Sequence, residues 1–88
     1  MNKLVQCDCC DYFSILSGEG YEICPICFWE QDYFGIEEPD TPSGANHGLS
    51  IREGRANFQN YGACTPELVK SVVPEYKRAL YKCVPRAI

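Results

Sequence analysis

The sequence has few histidines, few basic residues in its first half, and no long apolar run. It has one histidine, and only one basic residue, Lys3, among its first fifty positions. No apolar run approaches the roughly 18–20 residues that a membrane-spanning helix needs, so we expect no membrane span. Residues 1–6 lack the apolar core of a secretory signal peptide. These absences together predict a cytoplasmic protein.

The seven cysteines are an odd number, which does not suit a secreted scaffold in which every thiol is paired in a disulfide. The length of 88 residues predicts a single domain, residues 1–88. A domain of this size buries a limited core and often needs a metal or another cross-link to stabilise it.

Two Cys-x2-Cys pairs, Cys7 with Cys10 and Cys24 with Cys27, organise the chain. Two cysteines three positions apart on a tight turn can aim both sulfurs at one point, and a second such turn completes a tetrahedron. The spacing therefore predicts one zinc ion held by these four residues, with iron as the alternative because a four-sulfur site suits both metals. Cys9 lies in the first turn but is left out of the ligand set. Disulfides or ordinary core thiols are the competing interpretation.

Charge is distributed unevenly along the chain. Residues 1–50 carry nine acidic side chains and one basic one, a formal charge of −8. Residues 51–88 carry seven basic and three acidic side chains, a formal charge of +4. Nucleic acid binding needs cations near phosphates, so the first half is a poor match for nucleic acid and a better one for a basic protein surface.

The order of turn and apolar signals predicts an α+β fold in three parts. Residues 3–34 hold short β-type runs around the two metal turns and are expected to form a small zinc ribbon. Residues 35–49 form an acidic loop punctuated by glycine and proline. Residues 50–85 supply one to three helices that pack on the ribbon.

Helix signals divide the C-terminal part. Ser50 and Glu53 form a capping box, and Gly62 suits the end of that helix. A Thr-Pro pair at Pro66 predicts a second helix, which Pro74 either kinks or splits. The apolar stripe expected on this second helix is Leu68, Val72, Tyr76, Leu80 and Cys83.

The sequence also predicts how four single residues pack. Trp29 is expected in the small core beside the metal, because large aromatic side chains dominate small cores. Gly54 should weaken the first helix by about 1 kcal/mol relative to alanine, unless a neighbour packs against the missing side chain. Cys64, like Cys83, is expected to be a reduced core thiol.

Several of these pieces resemble the cysteine-rich CPCC family of small bacterial proteins. They are residues 7–10, 21–30 together with Asp32, 43–50 (Ser-Gly-Ala-Asn-His-Gly-Leu-Ser), 55–58 and 62–64. The chain departs from the family at Asp8, where proline is expected, at Asp11, where glycine usually closes the turn, and after residue 65. The resemblance implies zinc binding, and some family members look like immunity or accessory proteins encoded near toxins.

The first functional hypothesis is a protein-binding module with an acidic surface, such as an immunity protein that covers a basic nuclease toxin. Its carboxylates would take the place of the phosphates that the toxin binds. The candidate contact residues are Glu30, Asp32, Glu37, Glu38 and Asp40.

The second hypothesis is a small metal-dependent hydrolase. His47 could act as the base for Cys64, or could hold a second metal together with Glu30 and Asp32. No complete set of nucleophile, base and orienting group is visible in the sequence. A redox role for the Cys-x2-Cys pairs and nucleic acid binding by the basic tail rank below the first hypothesis.

Overall fold

A computed structural model describes residues 4–16 and 22–88. In this part the chain is α+β, as predicted, with one two-stranded sheet, one α-helix and three 3-10 helices. The turn predicted at residues 17–20, with Tyr21 after it, lies outside the described residues. None of the helices in the described ranges is long and apolar enough to cross a membrane.

The first Cys-x2-Cys turn lies at the tip of an antiparallel hairpin. Its strands are β1 (Leu4–Gln6) and β2 (Phe13–Leu16), with Val5 opposite Ile15. The register shifts just after Val5, which is the mark of a β-bulge next to the turn. The first turn therefore connects the two antiparallel strands, with β1 before it and β2 after it.

The second Cys-x2-Cys turn has a much shorter hairpin. The Cys24 N–H donates to the Trp29 carbonyl at 2.9 Å, and Ile23 and Glu30 form an isolated antiparallel bridge. Of the four β-type runs expected around the two turns, the two beside the second turn are thus reduced to one bridge. A side chain takes the place of a further strand, because Asn46 accepts from the Glu30 N–H at 2.7 Å and donates to the Glu30 carbonyl at 2.8 Å.

The segment predicted as an acidic loop contains local structure of its own. It includes a 3-10 helix, Gly44–Asn46, and a bridge between Ser43 and Leu49. Ser43 is fully buried, and its hydroxyl accepts from the Asn46 amide at 2.9 Å. The loop is therefore folded back onto the second turn through two polar side chains.

The α-helix α1 (Ile51–Tyr61) begins and ends where the sequence predicts. The Ser50 hydroxyl accepts from the Glu53 N–H at 3.1 Å, and the Glu53 carboxylate accepts from the Ser50 N–H at 2.8 Å. At the other end Gly62 has a φ of 89° and donates its N–H to the Phe58 carbonyl. The capping box and the glycine terminator are both confirmed.

The predicted second helix is split in two, one of the two outcomes expected at Pro74, and both pieces are 3-10 helices. Two 3-10 helices, Pro66–Ser71 and Glu75–Leu80, stand in its place, and the chain divides at Pro74. The Val73 N–H donates to the Pro25 carbonyl at 3.0 Å, which fixes the division against the second Cys-x2-Cys turn. The last three members of the predicted apolar stripe are exposed, namely Tyr76, Leu80 and Cys83.

The C-terminal residues 82–86, here called the C-terminal strap, return to the first hairpin. The Phe13 N–H donates to the Lys82 carbonyl at 2.8 Å, and the Gln6 side-chain amide donates to the Val84 carbonyl at 2.7 Å. The strap therefore runs beside the hairpin like an irregular third strand. It places the end of the described chain next to the first Cys-x2-Cys turn.

A single buried cluster joins the turns, the hairpin and α1. Trp29 is 1% exposed, which confirms its predicted place in the core. Its ring also explains Gly54, because a Cβ on that residue would lie 2.9 Å from a ring carbon. The cluster consists of Cys7, Cys9, Cys10, Ile15, Cys24, Ile26, Cys27, Trp29, Phe34, Ile51 and Cys64.

Candidate metal centre

The four predicted ligands converge at the centre of the molecule. The Sγ atoms of Cys7, Cys10, Cys24 and Cys27 lie within 4.8 Å of one another. The closest pairs join the two turns, with 3.5 Å between Cys7 and Cys27 and 3.7 Å between Cys10 and Cys24. All four residues are buried, so a metal ion held there would have no open position for a substrate. This is the form of a structural metal site and not of a catalytic one.

The two turns share one backbone geometry. The Asp11 N–H donates to the Cys7 carbonyl at 3.0 Å, and the Phe28 N–H donates to the Cys24 carbonyl at 2.9 Å. Asp11 and Phe28 have φ values of 69° and 70°. Such a conformation is uncommon for residues other than glycine, so it marks the close of each turn as a position under strong geometric constraint. The same turn is thus built twice, with different side chains at its end.

Backbone and side-chain donors point at two of the sulfurs. The Cys24 Sγ accepts from the N–H groups of Ile26 and Cys27 at 3.3 and 3.4 Å, and it lies 3.0 Å from the Ser14 hydroxyl. The Cys7 Sγ accepts from the Cys9 N–H at 3.4 Å. Such donors stabilise a thiolate and orient it toward a metal. The contact of Ser14 was not predicted from the sequence, since it depends on the fold of the first hairpin.

Without a metal, the four thiols do not ionise alike. Hydrogen bonds from Cys10 and the other two thiols lower the pKa of Cys24 strongly. Hydrogen bonding to Cys24 in turn raises the pKa of Cys10 well above the usual thiol range. Hydrogen bonding within the group therefore favours the thiolate form of Cys24 over that of Cys10. A bound divalent cation would remove the difference between the four thiols, because each thiol that coordinates it is deprotonated.

Cys9 is buried beside the four thiols but is not one of the converging group. Its sulfur would lie 3.4 Å from a Cβ on Gly54, which places it against α1. Its backbone N–H, as described above, donates to a sulfur of the group. Cys9 thus packs the helix onto the first turn.

The comparison with known proteins agrees with this geometry. A family model described as cysteine-rich CPCC matches residues 5–78. The chain belongs to this family. The match confirms the resemblance to this family. It also extends past residue 65, where the chain was expected to depart from the family, and ends within the third 3-10 helix. The C-terminal strap lies outside the match. No curated protein and no solved structure matches the chain.

In this CPCC family member, Asp11 anchors the strap. Its two carboxylate oxygens accept from Arg55 at 2.7 and 2.9 Å, and from the Arg86 side chain and backbone N–H at 2.8 Å each. Burial opposes the charge on Asp11, but the hydrogen bonds from Arg55 and Arg86 outweigh it and lower the pKa of this carboxyl. Arg86 also donates to the Cys7 carbonyl at 2.8 Å. The network was missed from sequence, because its partners are far apart in the chain.

The acidic residues predicted to contact a partner fall into two groups. Asp40 pairs with Arg52 at 2.8 Å, and Asp32 accepts from the Ser43 hydroxyl at 2.6 Å, so both have a role within the fold. Glu37 is exposed, and its carboxylate accepts from the backbone N–H of Gly35, two residues before it. None of the ion pairs in residues 4–16 and 22–88 involves Glu30, Glu37 or Glu38.

His47 and Cys64, the catalytic candidates, line one surface cleft together with Glu30. Cys64 is 2% exposed, and burial raises its pKa to about 12, so its thiol is not activated as a nucleophile near neutral pH. Asp32 does not line the cleft. Within the described ranges, the four cysteines are the one group of three or more metal-ligating side chains that converges. The second metal site considered for His47 therefore has no counterpart there.

Proposed function

We propose that this protein is a zinc-stabilised module that binds another protein through an acidic surface. The observation that carries the zinc part is the convergence of four buried sulfurs at the meeting point of two matched turns. Zinc fits this set because it favours four tetrahedral ligands, and because Zn²⁺ binds thiolates and has no redox chemistry of its own. Iron can occupy such a site too, so the metal must be identified directly.

In this proposal the metal holds the fold together. The two turns come from separate hairpins, and the buried cluster between them consists largely of the cysteines. Structural zinc sites contribute folding free energy on the order of 10 kcal/mol or more. The guanidinium groups of Arg55 and Arg86, which bond to the backbone carbonyls of Asp8 and Cys7, offset the negative charge that four thiolates bring.

The acidic half of the chain supplies the binding surface. Glu30, Glu37 and Glu38 are the candidates best placed to face a partner, since Asp32 and Asp40 already have partners inside the fold. A basic protein, for instance a nuclease toxin that binds phosphates, has the complementary surface. The role of the module would then be to cover such a protein, as an immunity protein does.

Native mass spectrometry of the purified protein tests this function. Alone, the chain should carry one zinc ion, and mixed with a basic protein encoded beside it, it should form a complex of fixed stoichiometry. The Cys24→Ser variant should lose the metal, whereas Cys83→Ser, which changes an exposed thiol outside the cluster, should keep it. A wild-type chain with disulfides and no metal would contradict the proposal, and a coloured iron-loaded chain would contradict the zinc assignment.

A further inference from the structure

A cleft opens on the side of the molecule between the second Cys-x2-Cys turn and the 3-10 helix Pro66–Ser71. Its main part has a volume of about 430 Å³, and a smaller part has a volume of about 80 Å³. Both parts are lined by His47, Leu49, Thr65 and Leu68, so they lie side by side. This volume lies within the range of about 300–1,000 Å³ that is usual for binding pockets.

The apolar floor of the cleft includes Leu49 and Leu68 in both parts and two further side chains in the smaller part. Phe28 and Ile23 come from the second Cys-x2-Cys hairpin, and Ile23 is 46% exposed. The backbone of Phe28 is fixed in its left-handed conformation by the turn that the metal would close. Leu49 is held by its bridge to Ser43. The apolar surface is therefore preformed, which reduces the entropy lost when a ligand side chain enters.

Carboxylates stand at both parts of the cleft. Glu67 lines the larger part and Glu30 the smaller one. Glu67 is hydrogen-bonded by the Thr65 hydroxyl, which orients it. The ion pairs of the described residues involve Asp8, Asp11 and Asp40 but neither of these glutamates. An apolar floor flanked by two carboxylates outside these ion pairs, with His47 near Glu67, complements an apolar side chain with cations beside it.

We propose that this cleft receives a bulky apolar side chain from a segment of a partner protein, with a lysine or arginine beside it in sequence that pairs with Glu67 or Glu30. The proposal rests on the protein-binding function above and adds the chemistry of the contact. The apolar side chain supplies most of the affinity through burial. The flanking cations supply the orientation and the selectivity.

Titration of the zinc-loaded, ¹⁵N-labelled full chain with short capped peptides tests the proposal. The probe is acetyl-Gly-Lys-Leu-Lys-Gly-amide, and two matched peptides replace its lysines by glutamates or its leucine by serine. The first peptide should shift the amide resonances of Leu49, Thr65 and Leu68. Each matched peptide should bind at least tenfold more weakly.

Three variants on one 3-10 helix test the apolar floor, an adjacent side chain outside the cleft, and the carboxylate. Leu68→Ser removes part of the apolar floor and should weaken the first peptide at least fivefold. Val69→Ser changes an adjacent side chain that is 42% exposed and does not line the cleft, so it should leave binding unchanged. Glu67→Gln should narrow the difference between the lysine and glutamate peptides while keeping the preference for leucine over serine.

Equal binding of the three peptides, or shifts confined to residues away from the cleft, would overturn the proposal. Equal loss of affinity in Leu68→Ser and Val69→Ser would do the same. The zinc content and the partner complex, measured by mass on the same protein, report separately on the proposed function. If the chain holds zinc and forms its complex but does not bind the peptides, the proposal about the cleft is refuted and the proposed function is not.

Discussion

At the scale of single residues, Gly54 decides how closely α1 approaches the metal-binding half. A Cβ at this position would lie 2.9 and 3.0 Å from two carbons of the Trp29 ring and 3.4 Å from the Cys9 sulfur. The ring is buried and large, so it has little room to move away. The glycine that looks unfavourable for the helix is therefore required by what lies against it.

We predict that Gly54→Ala lowers the free energy of unfolding. The higher helix propensity of alanine contributes about 1 kcal/mol in favour, while overpacking a buried contact costs about 1–3 kcal/mol, so a net loss of about 1 kcal/mol is expected. Asn60→Ala is the matched control, since Asn60 is exposed on the same helix and gains propensity without a clash. Urea denaturation of the zinc-loaded proteins measures both. A more stable Gly54→Ala protein would show that Trp29 can move.

Which residues could be predicted depends on where their partners lie. The four cysteines, the capping box of α1 and Gly62 are recognised from spacing alone, because each acts within a few positions of its partner. Asn46 gives no such signal, since it bonds to the backbone of Glu30 across the fold. The packing role of Gly54 likewise becomes visible only when the Trp29 ring is in place.

At the scale of elements, the C-terminal part departs most from its predicted form. The apolar spacing after Pro66 suggested an α-helix, but two 3-10 helices form on either side of Pro74. A backbone hydrogen bond from Val73 to Pro25 holds the break in place. That bond joins residues far apart in sequence, so local pattern could indicate a break at proline but not the type of helix around it.

The C-terminal strap depends on one buried carboxylate. Arg55 and Arg86 both pair with Asp11. The side chain of Asp11 is 7% exposed, that of Arg55 is 17% exposed and that of Arg86 is 25% exposed. Because hydrogen bonds hold the pKa of Asp11 below its ordinary value of 3.8, the network contributes its full stability above that pH. The contribution is lost as the pH falls through the lower pKa of the folded state.

We predict that Asp11→Asn releases the strap. Asparagine tolerates the positive φ of this position, so the change removes the charge and leaves the turn intact. The free energy of unfolding should fall by about 2–4 kcal/mol at neutral pH, since Arg55 and Arg86 lose the carboxylate that they share and keep mainly backbone carbonyls as partners. Hydrogen exchange at the Arg86 amide, which donates to Asp11, should become faster.

Asp40→Asn is the control for Asp11→Asn. It breaks an ion pair of the same kind with Arg52, but the two side chains are 72% and 51% exposed. A surface pair of this type contributes about 0–1 kcal/mol, so the loss should be small and the strap unaffected. Equal losses in the two variants would show that the Asp11 network is no more than a surface contact.

At the scale of the whole molecule, the fold combines two chain halves of opposite charge. The basic half uses Arg52, Arg55 and Arg86 to pair with acids of the first half. These pairs hold the halves together, and they neutralise Asp8, Asp11 and Asp40 only. The acids left over, Glu37 and Glu38 among them, keep a negative field on the metal-binding half.

That field should govern the first encounter with a basic partner. We predict that the double variant Glu37→Gln with Glu38→Gln binds a short polylysine peptide about two- to tenfold more weakly than wild type at low salt, since each exposed ion pair is worth about 0.2–1 kcal/mol. The affinity of wild type should fall as the salt concentration rises, and the affinity of the double variant should fall less steeply.

Glu75→Gln, which removes an exposed acid from the basic half, is the control and should leave the affinity and its salt dependence near the wild-type values. Calorimetric titrations at several salt concentrations measure the affinity and its slope. An unchanged slope in the double variant would mean that these carboxylates do not steer binding, and the acidic surface would then serve solubility alone.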